Sequence, residues 1–150
     1  MRIAPRSRGE IGRKSADLLA DPRIQPNYLA DPADLRALVA GVRAARRILA
    51  APAFDSYRGL ELFPCEQARS DAAIKAFVRQ RCETLYHPVG TCARWASMPW
   101  PWSLRICACA ASTGLHVVDA SIMSTLIGGN TNTPTTMIAE KAADMIRRTR

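Results

Sequence analysis

The sequence predicts an α+β fold. The reading rests on two capped stretches of helical periodicity in the first part of the chain, short alternating or β-branched stretches elsewhere, and a third helix at the C-terminus with Pro134 near its start. At 150 residues, with 48% apolar and 23% charged side chains, the chain has an ordinary globular composition and enough length for one domain with a modest core.

Residues 2 to 15 hold a Ser7-Arg8-Gly9 turn followed by a weakly alternating stretch that suits a short strand. From 17 to 30, Asp21-Pro22, Gln25-Pro26 and Asn27 drive the backbone toward turns and extended conformations, so a connecting loop is expected. Asp31-Pro32 supplies an N-cap and a first-turn proline. Leu35, Leu38, Val39, Val42, Ile48 and Leu49 then recur at helical spacing, predicting a helix over 32–50. Arg36, Arg43, Arg46 and Arg47 fall on its polar face and are expected in solvent.

Residues 51 to 69, with Pro52 and Pro64, read as irregular. Ser70 caps a shorter helix with Ile74, Phe77 and Val78 on its apolar face, ending near Arg81 to Glu83. Leu115-His-Val-Val-Asp119 reads as a strand, Gly128-Gly129 as a turn, and 134–148 as the closing helix. Met137, Ile138, Met145 and Ile146 line one side of that helix, and its N-terminal amides suit a phosphate or another electron-rich group.

Bulk properties exclude several function classes. The net charge of +8 is spread over the N-terminal segment, two helices and the C-terminus, with no zinc-finger spacing, aromatic RNA-binding strand or long basic run, so a nucleic-acid partner is not expected. No run of apolar residues is long enough to span a membrane, and Met1 to Pro5 lacks a signal-like apolar stretch; a cytoplasmic location is expected. The five cysteines (Cys65, Cys82, Cys92, Cys107, Cys109) are odd in number and irregular in spacing, which suits free thiols. A zinc site from Cys107, Cys109, Cys92 and His87 lacks a paired Cys-x-x-Cys framework, so no metal is expected.

Two segments carry candidate chemistry. His87 in Tyr86-His-Pro-Val-Gly-Thr91 sits where Pro88 and Gly90 impose an irregular, rigid backbone, and imidazole is the side chain best suited to proton transfer near neutral pH. Spacing alone favours a histidine that merely hydrogen-bonds its loop. His116, inside the expected strand, suits a packing or surface role. Gly128-Gly-Asn-Thr-Asn-Thr-Pro134 reads by itself as an ordinary turn before a helix.

Read together, the strings SRGEI, DPRIQPNYL, YHPVGTC, GLHVVDASIM, TLIGGNTNTPT and MIAEKAADMI occur in order from Ser7 to Ile146, on both sides of 93–113. They resemble the C-terminal region of choline-dehydrogenase-like glucose-methanol-choline (GMC) oxidoreductases. The resemblance implies the substrate-binding domain of that family, a mixed or antiparallel sheet with helices, with about 114–150 rejoining the FAD domain as a terminal strand and helix. It implies oxidation of a small-molecule alcohol to a carbonyl compound, with hydride passing to FAD. It places the catalytic base on His87, the second active-site position on Asn130, and flavin contacts on Asp119, Ala120, Asn132, Pro134 and Thr135.

The sequence departs from that family twice. No Gly-x-Gly-x-x-Gly turn of a dinucleotide-binding half occurs among its eight glycines, so the adenine and pyrophosphate of FAD are expected to lack a site on this polypeptide, and the isolated chain is expected to be an inactive C-terminal fragment whose partner is the FAD-binding half. The second departure is the window 93–113, which holds all three tryptophans, no acidic residue, and none of the family's usual words. Met98-Pro-Trp-Pro-Trp-Ser, encoded ATG-CCA-TGG-CCG-TGG-TCx and read from the third base, becomes Ala-Met-Ala-Val-Val. A like shift of the codons from Arg105 yields Leu-Arg-Val and restores a family word. The expectation is a window translated out of frame. The rival reading of the window is a tryptophan-rich protein-binding loop, and the alternative for the whole chain is a non-catalytic remnant or interaction module from a disrupted gene.

Overall fold

A computed structural model describes residues 5–64, 67–92 and 115–148. The chain forms two compact units, Met1–Glu83 and Thr84–Arg150. The sequence-derived window 93–113 lies outside the described residues.

The first unit opens on a two-stranded antiparallel ribbon of β1 (Glu10–Gly12) and β2 (Arg23–Gln25), with Ile11 opposite Ile24. The expected strand within 2–15 is thus three residues long. The stretch read as a plain loop contains a strand, because Arg23-Ile-Gln lies between two prolines that favour extended backbone and finds its partner 13 residues away. Gly9 permits the approach: a Cβ there would meet the Gln25 carbonyl oxygen at 2.3 Å and the Pro26 carbonyl oxygen at 2.7 Å. Asn27 Nδ2 donates to the Arg8 carbonyl at 2.9 Å and closes the far end.

Helix α1 (Pro32–Leu49) starts where the sequence places it, with the Asp31 carboxylate accepting from Ala33 N–H at 2.7 Å. Helix α2 (Asp71–Arg81) is capped by Ser70 Oγ, which accepts from Ala73 N–H at 3.1 Å. Leu35 and Val39 of α1 and Ile74 and Val78 of α2, each pair four residues apart, form the buried core, with Leu29, Val42 and Phe77 packed against it. Phe63 stacks on Phe77 with ring centroids 6.2 Å apart, and the Arg81 guanidinium lies over the Phe63 ring at 5.2 Å.

The arginines of α1 do more than face solvent, and the expectation is corrected for Arg46, since Arg43 remains exposed. Arg43 pairs with Asp71 at the start of α2. Arg46 is half-buried: its Nε reaches Glu61 at 2.8 Å and its Nη1 donates to the Ala68 carbonyl at 2.9 Å. The physical reason is that the irregular segment after α1 returns across the helix, which periodicity within one helix does not reveal.

Asp34, in the first turn of α1, holds the N-terminal segment. Its carboxylate accepts from Arg6 N–H and Ser7 N–H, both at 2.8 Å, and from Ser7 Oγ at 2.5 Å. Burial by itself would raise its pKa; the hydrogen bonds from Arg6 and Ser7, together with the Arg6 charge, outweigh it and hold the carboxyl below its ordinary value of 3.8. A depressed folded-state pKa contributes stability that is present above the ordinary value and lost as pH falls through the folded one. Asp34→Asn is expected to lower unfolding free energy at neutral pH by about 1–2 kcal/mol. It is also expected to flatten the decline in stability below about pH 4, read by urea unfolding across an acid series.

The second unit holds a 3-10 turn at Ala120–Ile122 and helix α3 (Asn132–Arg148). The stretch expected as a strand, 115–119, shows only a single bridge position, at His116, among the described residues. His116 is exposed, in keeping with a surface role. Helix α3 begins two residues before the expected Pro134 and buries Ala142. Arg147 and Arg148 close it at the dipole's negative end.

Candidate active site

His87 is exposed and belongs to a loop held along its length. The residue before it, Tyr86, has φ 61°, a left-handed conformation uncommon for a bulky side chain, and its N–H donates to Thr84 Oγ1 at 2.9 Å. Pro88 then confines His87 to extended backbone. Gly90, at φ 83°, supplies the second left-handed position, where any side chain would be strained. Beyond it, Gly90 N–H donates to the Ala120 carbonyl at 3.2 Å and Cys92 N–H to the Ser121 carbonyl at 2.9 Å, fastening the loop to the segment after Asp119.

The imidazole itself is held from the other side. His87 Nδ1 lies 3.0 Å from Thr131 Oγ1. Thr131 is buried, 9% exposed, and its carbonyl accepts from both Thr135 N–H at 3.0 Å and Thr135 Oγ1 at 2.7 Å at the start of α3. The histidine motif and the Asn-Thr-Asn-Thr-Pro motif, 44 residues apart, therefore meet through one side-chain hydrogen bond.

Asn130 is exposed and adjoins Thr131 in the chain; Asn132 is exposed and opens α3, its carbonyl accepting from Thr136 Oγ1 at 3.2 Å. Pro134 and Thr135 are half-buried in the first turn. Asp119 is exposed and caps the 3-10 turn, accepting from Ser121 N–H at 2.8 Å. Its carboxyl is held below the ordinary range by the Ser121 side chain first and the Ser121 N–H second, against a smaller opposing effect of burial. Only the N–H makes a hydrogen bond of normal geometry; Ser121 Oγ is buried and has no hydrogen-bond partner among the described residues. The Ala120 carbonyl accepts from Gly90 N–H and Met123 N–H.

Thr131 is the residue that sequence reasoning passed over. It stands inside the motif that marks Asn130 and Asn132, and only its contact with His87 distinguishes it from the neighbouring threonines. Among the described residues no cluster of three metal-ligating side chains occurs, Cys82 and Cys92 are free thiols, and no helix is long and apolar enough to cross a membrane.

Comparison with known proteins agrees with the motif order. A curated alcohol dehydrogenase [acceptor] from Pseudomonas putida is 46% identical over 97% of this chain and 26% of its own length. A choline oxidase from Arthrobacter globiformis is 39% identical over 97% of the chain and 27% of its length. Among solved structures, pyridoxine 4-oxidase from Mesorbium loti matches with a TM-score of 0.83 at 29% identity, over 97% of this chain and 28% of that one. An FAD-dependent oxidoreductase from Chaetomium thermophilum matches at 0.81 and 25%, over 97% and 25%. The chain thus spans about a quarter of the length of the curated relatives it matches. A family model described as GMC oxidoreductase matches residues 5–94. With well over half the chain inside that match, the protein belongs to the GMC oxidoreductase family.

Proposed function

We propose that this chain contributes the substrate-side machinery of an FAD-dependent oxidoreductase acting on the CH–OH group of a small alcohol. The observation that carries the reading is the hydrogen bond between His87 Nδ1 and Thr131 Oγ1, because it ties the histidine loop to the segment bearing Asn130. In this reading His87 takes the proton from the substrate hydroxyl, a transfer suited to an imidazole on a rigid loop. Asn130 donates an amide N–H to the same oxygen and orients the alcohol, lowering the cost of reaching a reactive geometry.

The residues present fit a flavin. Among the described residues Ser121 Oγ is a buried polar atom lacking a partner, next to Ala120 in the chain. The first turn of α3 carries no acidic side chain, leaving its N-terminal end suited to an electron-rich group. Asp119, Ala120, Asn132, Pro134 and Thr135 would line that group. When bound, FAD accepts the hydride from the alcohol carbon. The nucleotide half of FAD needs a Gly-x-Gly-x-x-Gly turn that the 150 residues do not hold, so an FAD-binding half is the required partner.

The test is to express the longest polypeptide encoded around this chain and add short primary alcohols or choline without oxygen. Bleaching of the flavin absorbance supports the reading; a flavoprotein that no alcohol reduces defeats it. The window 93–113 bears on the same question, and support for a frame error there comes from the family match ending at Arg94, at the window's edge. Sequencing the DNA from upstream of Met1 through Arg150 decides it. A frame corrected across codons 93–113 and continuous with an FAD-binding half is the expected result, whereas a confirmed shifted frame favours a non-catalytic remnant.

A further inference from the structure

We infer that Thr131 is a positioning residue that sets the tautomer and ring orientation of His87, leaving Nε2 as the free acceptor. The inference rests on the reading of His87 as base. Three backbone hydrogen bonds fix the loop: Tyr86 N–H to Thr84 Oγ1, Gly90 N–H to Ala120, and Cys92 N–H to Ser121. None of them touches the imidazole, which would otherwise turn about its two side-chain torsions. The 3.0 Å contact from Nδ1 to Thr131 Oγ1 removes that freedom.

Thr131 is itself well held, since it is buried and its carbonyl binds Thr135 twice. A hydroxyl both donates and accepts, so the pair has two arrangements. If Thr131 donates to Nδ1, the proton sits on Nε2, and the outward nitrogen then has no in-plane lone pair with which to accept another. If Nδ1–H donates to Thr131 Oγ1, Nε2 keeps its lone pair. The hydrogen bond made by one ring nitrogen determines what the other can do, and a base at this position requires the second arrangement.

Nitrogen-15 NMR of the full 150-residue chain tests this without any flavin or turnover. There are only two histidines, so His116→Gln assigns the His87 signals. Two-bond proton–nitrogen correlations at mildly alkaline pH report the tautomer directly. The wild type is expected to show Nδ1 protonated and Nε2 bare. Thr131→Ser is expected to keep that pattern, and Thr131→Val to shift the tautomer ratio by about 5-fold toward Nε2–H, the scale of one hydrogen bond.

Wild-type spectra with Nε2–H predominant, or Thr131→Val spectra matching the wild type, overturn the inference. A hydrogen bond that only fastened the loop would lower stability in Thr131→Val and leave the tautomer alone. If Thr131→Val does not fold, the wild-type tautomer and the Thr131→Ser spectrum still decide. In the flavin-loaded full-length protein, His87→Gln reports on the base separately: full activity there with the expected tautomer here rejects the base and keeps the positioning contact.

Discussion

Replacing His87 by glutamine in the flavin-loaded protein is expected to lower kcat/KM by about 10²–10⁴-fold, the range a positioned general base contributes. Glutamine keeps a polar group of similar reach but cannot accept a proton at working pH. The loop backbone depends on contacts of Tyr86, Gly90 and Cys92, so its path should survive the change. Two readouts separate lost chemistry from lost structure. Flavin content and visible spectrum are expected to match the wild type, and the limb of the kcat/KM profile against pH that reports the base is expected to vanish. A variant with near-normal kcat/KM would remove His87 from the mechanism, and one without bound flavin would make it a structural residue.

Ile74→Ala is expected to cost about 2–5 kcal/mol of unfolding free energy, read by urea denaturation followed by far-ultraviolet circular dichroism. Ile74 is 1% exposed and sits among Leu35, Val39 and Val78. The lost methyl and methylene groups carry a transfer cost, and the cavity left between α1 and α2 adds to it because two capped helices collapse only partly. With so few fully buried apolar side chains among the described residues of the first unit, the loss is a large share of the 5–15 kcal/mol typical of a domain. Ile74→Val is expected to cost about 0.5–1.5 kcal/mol, scaling with the volume removed. Combining Ile74→Ala with Leu35→Ala should fall short of additivity, since both open the same cluster. A loss below about 0.5 kcal/mol for Ile74→Ala, the level of an ordinary surface substitution, would show that the α1–α2 contact is not what holds this unit.

Local chemistry made much of the fold readable. Asp31-Pro32 and Ser70 announce their helices because a cap and the apolar period that follows are properties of adjacent residues. The strand at Arg23–Gln25 was hidden because three residues carry too little pattern, and its pairing depends on Gly9 letting two backbones meet. Arg46 looked like a solvated charge because helical spacing says nothing of a loop returning from elsewhere. The expected strand at 115–119 shows the converse: β-branched residues favour extended backbone, but a ladder requires a partner, and the described residues supply a bridge only at His116.

The sequence by itself determined family membership, three helices with the caps of the first two, and two motifs as candidates for the chemistry, because each is written in contiguous residue types. What only the tertiary structure decided is how the motifs meet. His87 and Thr131 are 44 residues apart and touch at 3.0 Å, yet neither side chain signals the other in the sequence. Such a contact depends on where the Ala120–Ser121 backbone holds the histidine loop and where Thr135 pins the start of α3. Those are long-range geometric consequences of packing, and no local propensity encodes them.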